Sequence, residues 1–436
     1  MDKAEQTVFL SNGEALYVID GHVTGRIAGI LSVLSVRALW YGYKTLVLPR
    51  YPDTAFHEYT KSFGCDSEII VPEGIDLSKR LCILDGLDDP VVCTKIAGKL
   101  VTSYVATPKL YSFATKAGGR FIGGDPSNNI HKINDKTQYA TFSKGIVDIP
   151  KGQIAAGKEA IAAAVQDQLA RYGGRAFVRL SHAAGGQGNC LFELAENQQV
   201  PPLDEITALL DSKDGQDWTQ PALVEEHLDI VASPAVTFHP DSGFRYDNLQ
   251  ITNQGKYWGS WSPVPQTICD IGQLAAIGNH FASELSKIGF NFSSNTDLGV
   301  TSDGRIVGFE INGRMTALSH AIAIGELLLG PWRLWRQRHF AIKSLDHFAL
   351  KQPLTFEALY TVLDKARLLA TKSRPFGAVI TIPPFPAKHG GTVAGIQFHG
   401  QGQGMAAYEM AESLYENALA LVGDPAGNIH DHPLFA

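Results

Sequence analysis

The sequence predicts an α/β chain of two or three packed lobes, opening with a parallel α/β domain. Three observations lead to this. Over about the first 120 residues, short apolar runs alternate with stretches of helical spacing. A strand, a glycine-rich turn and a second strand then follow one another directly from Arg175 to Leu194, the pattern of a hairpin and not of a βαβ unit. Finally, 436 residues with 44% apolar and 19% charged side chains are too many for one small core, yet globular in composition.

In order along the chain, Tyr43–Pro49, Ser67–Pro72, Arg80–Gly86 and Lys99–Pro108 are expected as buried strands, each ending in Pro, Gly or a polar turn. Helices are expected over Arg26–Tyr41 and Asp53–Phe63. No GxGxxG follows the first strand, which argues against a dinucleotide site. Residues 121–150 are polar and turn-rich. A helix over Ala155–Tyr172 then leads to the strand Arg175–Leu180, the loop Ser181–Asn189 and a strand of sequence CLFEL. Further on come a helix near Pro202–Leu210, the segment Ala222–Asp229, a β-rich stretch over Val236–Val264 and a helix over Leu274–Ile288. Two strands follow, joined by the turn Ser302-Asp303-Gly304. The tail has a proline-rich section near Pro375–Pro386 and a last helix over Ala406–Val422.

Composition excludes several classes of partner. The net charge of −7 supplies no basic field for a nucleic acid. The five cysteines are scattered, without CxxC spacing, so neither a disulfide framework nor a zinc site is expected. The first residues are polar and acidic, unlike a signal peptide, and the apolar stretch Ile27–Trp40 is short and contains Arg37. A cytoplasmic protein without membrane contact is the expectation.

The sharpest chemical signal is Asp297, Glu310 and Asn312. Glu310 and Asn312 are two apart on one strand and so share a face, and the turn brings Asp297 beside them. Two carboxylates and an amide oxygen form a hard oxygen set that suits magnesium; an exposed acidic hairpin is the competing reading. Arg314 continues the alternation, either toward a transferred phosphate or as an ion pair with Glu310. The glycines at 185, 186 and 188 flank Gln187 in a loop whose backbone N–H groups are open to a phosphate, or which is an ordinary flexible turn. Arg179 and Lys136 could each add positive charge. Leu223–Leu228, an apolar strand ending in Glu225 and Glu226, could present backbone groups to an adenine edge. His320 reads as a core histidine rather than a substrate contact, and Tyr257, Trp258 and Trp261 as packing rather than specificity residues.

Taken together, these residues resemble the ATP-grasp superfamily. The segment Asn134-Asp135-Lys136, the strand with its glycine loop, Val224-Glu225-Glu226 and Asp297…Glu310-x-Asn312-x-Arg314 fall in the superfamily's order, from about Gly124 to Ser319. PDTAFHEYTKSFG, SYVATPKLYSFATKAGGRFIGGDP and GGTVAGIQFHG are similar to the carboxylate–amine ligases typified by the peptide ligase of pheganomycin biosynthesis. The resemblance implies a pre-ATP-grasp α/β domain over 1–123 and an ATP-grasp domain over 124–345, with lobes at about 135–225 and 226–345. A small C-terminal αβ module over 346–436 would follow. It implies ATP and Mg2+, an acyl phosphate, and small-molecule carboxylate and amine substrates; a homodimer is compatible with it. Lys136 and Arg179 would contact ATP phosphates, Gly185, Gly186, Gln187 and Gly188 would close over them, and the Glu225 carbonyl and Leu228 N–H would read adenine beside Glu226. Asp229 would reach the ribose; Asp297, Glu310 and Asn312 would hold Mg2+; Arg314 would face the reacting phosphate, with Arg179 as its catalytic companion. Arg179 departs from the lysine usual at its position, and beyond the hinge only Asp229 could serve the ribose. A grasp-type kinase or carboxylase-like enzyme and a non-catalytic nucleotide-binding protein are the alternatives.

Overall fold

The structure, a computed structural model, describes residues 6–428 apart from 19, 22, 79, 80, 128, 183–187, 197, 213–216, 254, 255, 388 and 389. It contains three sheets. The first is all parallel, in the order β3-β2-β1-β4-β5, from β1 (Thr7–Leu10), β2 (Thr45–Val47), β3 (Glu68–Ile70), β4 (Leu100–Ser103) and β5 (Arg120–Phe121). The second is antiparallel, in the order β6-β9-β7-β8, from β6 (Gly152–Ala156), β7 (Arg175–Leu180), β8 (Asn189–Glu193) and β9 (Pro221–Glu226). The third has nine strands: β10 (Ile230–Ala232), β11 (Pro234–His239), β12 (Gly243–Asn253), β13 (Lys256–Ser262), β14 (Ser294–Thr301), β15 (Ile306–Asn312), β16 (Phe340–Leu350), β17 (Gly377–Pro386) and β18 (Thr392–Gln401). Their order is β10-β14-β11-β12-β13-β16-β18-β17, with β15 paired to β14. The parallel first domain, the glycine-turn hairpin and the β14–β15 hairpin therefore form as expected.

Local chemistry sets the ends of the helices. Asp53, Thr107, Asp270 and Thr355 each cap the helix that follows by accepting a backbone N–H. Several elements differ from the sequence expectation. Of the strand expected over Arg80–Gly86, Arg80 lies outside the described residues and residues 81–86 form none: the Glu14 carboxylate takes the Ile83 N–H at 2.7 Å, and Ile83–Gly86 winds into a 3₁₀ turn. The helix expected over Arg26–Tyr41 is α-helical only over Gly25–Leu34 and continues as 3₁₀ to Tyr41, where the Ser32 and Ser35 hydroxyls bond backbone carbonyls three residues earlier. The helix at Ala155 starts later, at Lys158. Residues 152–156 pair with β9 instead, and Gly157, at φ +86°, makes the break. The proline-rich section is β17, at the end of the large sheet, where a missing N–H is tolerated. Among the described residues no helix is long and apolar enough to cross a membrane.

The parallel and nine-stranded sheets share one continuous core, whereas the four-stranded sheet and its helices Lys158–Arg171 and Leu203–Asp211 own a separate one. In the first sheet the connections diverge between β1 and β4, the place where open α/β sheets form a crevice. Asn12, just past β1, bonds both backbone groups of Val105, just past β4, at 2.8 and 3.0 Å. Val105 in turn bridges Arg314, and Met315 N–H donates to Tyr104 O at 3.0 Å, so the end of the β14–β15 hairpin docks on that crevice.

Behind the hairpin, Tyr139 packs flat on Gly308 and its hydroxyl bonds Thr296 at 2.9 Å. A Cβ at Gly308 would meet the Tyr139 ring and hydroxyl at 2.1–2.8 Å. Gly308→Ala is therefore expected to lower stability by about 1–3 kcal/mol. Urea unfolding checks this, and an unchanged midpoint would mean that Tyr139 is not held against the hairpin.

Candidate functional site

β14 and β15 pair so that Asp297 stands opposite Glu310 and Asn295 opposite Asn312, while Thr296 and Ile311 turn to the other face. Two carboxyl groups thus meet side by side, largely out of water. Asp297 Oδ1 accepts from Gln250 Nε2 at 2.8 Å and Oδ2 from Asn312 Nδ2 at 3.1 Å. Glu310 Oε2 pairs with Lys136 Nζ at 2.9 Å, and this lysine side chain is 7% exposed. Burial and the neighbouring Glu310 raise the Asp297 carboxyl to about 8. Burial works the same way on Glu310, but the Lys136 ammonium and the Asp297 hydrogen bond outweigh it and hold Glu310 down at about 2. Burial and mutual repulsion thus disfavour two charges on the pair, and the negative charge is favoured on Glu310, beside Lys136.

Such a pair can exchange its proton for a hard cation, with Asn312 as the third oxygen donor if its amide turns. As oriented here, the Asn312 NH2 faces Asp297 and also donates to Asn295 Oδ1 at 3.3 Å. Among the described residues no group of three or more His, Cys, Asp or Glu side chains is placed to hold a metal.

Arg179, expected at the ATP phosphates, is engaged by protein groups in this structure. It lies buried on β7, with Nε and Nη2 on the two oxygens of Glu225 at 2.8 and 2.9 Å and Nη1 on Phe309 O at 2.8 Å. Its guanidinium also stands 5.6 Å from the centre of the Phe309 ring. The side chains of Arg179 and Glu225 are only 6% and 4% exposed. In this arrangement all three guanidinium nitrogens have protein partners, so Arg179 ties the four-stranded lobe to β15 and does not project as a cation. Glu225 is correspondingly engaged through its carboxylate.

Arg314 lies past the end of β15, so strand alternation does not set its direction. Its Nη1 donates to Asn134 Oδ1 at 3.0 Å, and the same oxygen accepts Gly313 N–H at 3.1 Å. The alternative ion pair with Glu310 is not formed; Lys136 holds that carboxylate. Asn134 and Lys136, two residues apart, therefore hold Arg314 and Glu310 respectively. Lys136 N–H also donates to Ser181 O at 3.1 Å, at the end of β7.

The remaining expected residues lie around the hinge. β9 ends at Glu226, whose carboxylate accepts Lys151 N–H at 2.9 Å, and β10 begins at Ile230. Leu228 is half-buried in between. Asp229 is exposed and already paired with Arg175 at 2.7 Å, which lowers its carboxyl. Gly188 closes the hairpin at φ +76°, its carbonyl accepting Leu180 N–H at 3.1 Å. Gly185, Gly186 and Gln187 lie outside the described residues. His320 is fully buried away from this cluster, and Trp261 is packed in the core. Sequence reasoning missed Gln250, Asn295 and the Phe309 carbonyl. Gln250 and Asn295 are ordinary polar positions on long strands, and a backbone acceptor leaves no mark in a sequence.

No protein-family model matches the chain, and no curated protein matches it. Solved structures do. An N5-carboxyaminoimidazole ribonucleotide synthetase in its ADP complex matches at TM-score 0.56 and 12% identity over 94% of this chain and 96% of that one. The same enzyme from Thermus thermophilus matches at 0.55 and 13%, over 96% and 99%. The biotin carboxylase domain dimer of the Hydrogenobacter thermophilus 2-oxoglutarate carboxylase, with magnesium ADP, ADP and bicarbonate, matches at 0.59 and 12%, over 96% and 90%. At these identities the likeness shows the fold alone: the chain shares the overall architecture of these enzymes over nearly its whole length.

The Arg179–Glu225 pair allows a direct check. Arg179→Ala would leave the Glu225 charge buried without its partner and is expected to cost about 3–5 kcal/mol. The double variant Arg179→Met/Glu225→Leu should recover most of that loss. Chemical denaturation measures both, and an alanine variant within about 1 kcal/mol of the parent would show that the pair is not closed in solution.

Proposed function

We propose that this chain is an ATP-dependent carboxylate–amine ligase that forms an amide through an acyl phosphate. The observation that supports this is the convergence of Lys136, Arg314 and the Asp297–Glu310 pair where the β14–β15 hairpin meets the crevice of the parallel sheet. The solved structures of the same fold add support, since they hold ADP or magnesium ADP. The resemblance to pheganomycin-type peptide ligases supports an amino acid or related small carboxylate as substrate.

Asp297, Glu310 and Asn312 would hold Mg2+, which when bound draws the phosphate oxygens together and offsets their charge. Two facing carboxyl groups that draw in the Lys136 ammonium support a divalent cation at this face. Lys136 would move from Glu310 to a phosphate. Arg314, held by Asn134, would face the transferring phosphoryl group. The donor carboxylate oxygen attacks the γ-phosphorus as the bond to ADP breaks; the amine then attacks the acyl carbon, phosphate leaves, and the amine gives up a proton. Gly185, Gly186, Gln187 and Gly188 would cover the phosphates, and the hinge Glu225–Asp229 would meet the adenine and ribose. In this scheme Arg179 is a positioning residue, acting through Glu225 and the Phe309 carbonyl next to Glu310.

A second reading is a carboxylase-like enzyme with bicarbonate as the carboxylate, favoured by the bicarbonate in one structure of this fold. A screen of carboxylate and amine pairs for ADP release, with mass spectrometry of the products, separates the two. The ligase reading expects a condensed amide. ADP release driven by bicarbonate alone supports the carboxylase, and silence with every pair supports neither enzyme.

Asp297→Asn separates function from stability. Because burial and Glu310 both disfavour a charge on Asp297, an amide there should change stability by less than about 1 kcal/mol. Turnover should fall by about a hundredfold or more, through loss of a cation ligand. Thermal midpoint and ADP release measured on one sample decide it; normal turnover at limiting magnesium would remove Asp297 from the site.

A further inference from the structure

The four oxygens of the Asp297–Glu310 pair are not equivalent. One oxygen of each carboxyl group is held by a donor from another element: Asp297 Oδ1 by Gln250 Nε2 at 2.8 Å, and Glu310 Oε2 by Lys136 Nζ at 2.9 Å. The other two, Asp297 Oδ2 and Glu310 Oε1, both approach the Asn312 amide nitrogen, at 3.1 and 3.5 Å. The three residues expected to hold a cation therefore meet through Asp297 Oδ2, Glu310 Oε1 and the Asn312 amide.

The two donors differ in kind. Lys136 is a cation that a nucleotide phosphate can draw away. Gln250 is neutral and is fixed by its strand: its backbone N–H donates to Ser233 O at 2.8 Å, and its partner across the ladder on β13 is Ser260. β12 does not touch β14, because β11 runs between them. The β11 residue in register with Asp297 is Ala235, which also pairs with Asn248, two residues from Gln250 on the same face of β12. Strands lie about 4.8 Å apart, so bridging two spacings needs a long side chain passing a small one. Glutamine beside alanine meets that need, and the amide reaches Asp297.

We propose that Gln250 is a positioning residue for the cation: it keeps Asp297 a one-oxygen ligand, through Oδ2, and so sets the preference of this site for Mg2+ over Ca2+. The proposal rests on the reading that Asp297, Glu310 and Asn312 hold Mg2+ beside ATP. Mg2+ takes single oxygens in a tight octahedron, whereas Ca2+ is larger, takes more ligands and accepts both oxygens of one carboxylate. With Oδ1 pinned by an amide N–H, Asp297 suits the smaller ion. Without that bond the carboxyl group can turn and offer both oxygens. Gln250 acts through Asp297 alone, so its loss should register in metal binding and not in binding of the nucleotide itself.

The test is isothermal titration of the full chain with a non-hydrolysable ATP analogue in three buffers, containing EDTA, excess Mg2+ or excess Ca2+. In the parent protein Mg2+ should tighten analogue binding relative to EDTA, and by more than Ca2+ does. Gln250→Met keeps the length of the side chain and removes the donor. In this variant affinity with Mg2+ should fall by about tenfold or more, the scale of a lost ligand-orienting bond. With Ca2+ it should fall by about threefold or less, and in EDTA it should stay as in the parent. Gln250→Asn, whose amide is too short to reach Asp297, should repeat the pattern and carries the test if the methionine variant does not fold. A loss of equal size in all three buffers, or an unchanged ratio of Mg2+ to Ca2+ affinity, overturns the role of Gln250 and leaves the ATP–Mg2+ reading standing. A parent that gains as much from Ca2+ as from Mg2+ does the same without any variant. A parent that binds the analogue no better with Mg2+ than in EDTA overturns that reading, and the proposal with it.

Discussion

Two carboxyl groups facing each other across one hairpin, out of water, are the constraint to which the surrounding structure answers. Like charges this close cannot both ionise without compensation. Burial and Glu310 push the Asp297 carboxyl toward its neutral form, Glu310 takes the Lys136 ammonium, and Gln250 and Asn312 donate to the two Asp297 oxygens. The next layer follows from the same need. Asn134 anchors the segment that carries Lys136 and, through the same oxygen, fixes Gly313 and Arg314. Arg179 grips the Phe309 carbonyl, one residue from Glu310, and is itself neutralised by Glu225. The carboxyl pair, the cations around it and the ties between sheets are therefore one electrostatic unit rather than separate features.

That unit also explains how the lobes are joined. The four-stranded lobe has its own apolar core and shares none with the rest. What holds it in place is the hinge after Glu226 and a few polar ties, chiefly Arg179 to Phe309 and Lys136 N–H to Ser181. The parallel and nine-stranded sheets are, by contrast, fused through continuous apolar packing. The crevice at β1 and β4 and Arg314 thus sit on one continuously packed body. The glycine-loop lobe is fastened to that body by Arg179, by the segment that carries Lys136 and by the hinge.

Where a local pattern decided the structure, the sequence was legible. Period-two alternation and a Ser-Asp-Gly turn specify the β14–β15 hairpin and the pairing of Asp297 with Glu310. RAFVRL and the last helix, Ala406–Val422, lie where expected. Tertiary partners hid the rest. Arg80–Gly86 has the composition of a strand, but the distant Glu14 carboxylate captures its backbone. Thr7–Leu10 is central to the first sheet, yet four residues carry no periodicity. Arg179 reads as a phosphate ligand by its place in the motif order, and only the structure shows Glu225 and Phe309 occupying its nitrogens. Arg37 reads as an interruption of an apolar helix, and its pairing with Asp346, more than three hundred residues away, has no local signal.

In the proposed reaction the chain activates a carboxylate as an acyl phosphate. Its most direct test follows the oxygen atoms. With a donor that supports ADP release, prepared with 18O in both carboxylate oxygens, the account predicts one labelled oxygen in each phosphate released and the other retained in the amide. Unlabelled phosphate formed at the same rate as ADP would contradict it, because the carboxylate would then never have been bonded to phosphorus.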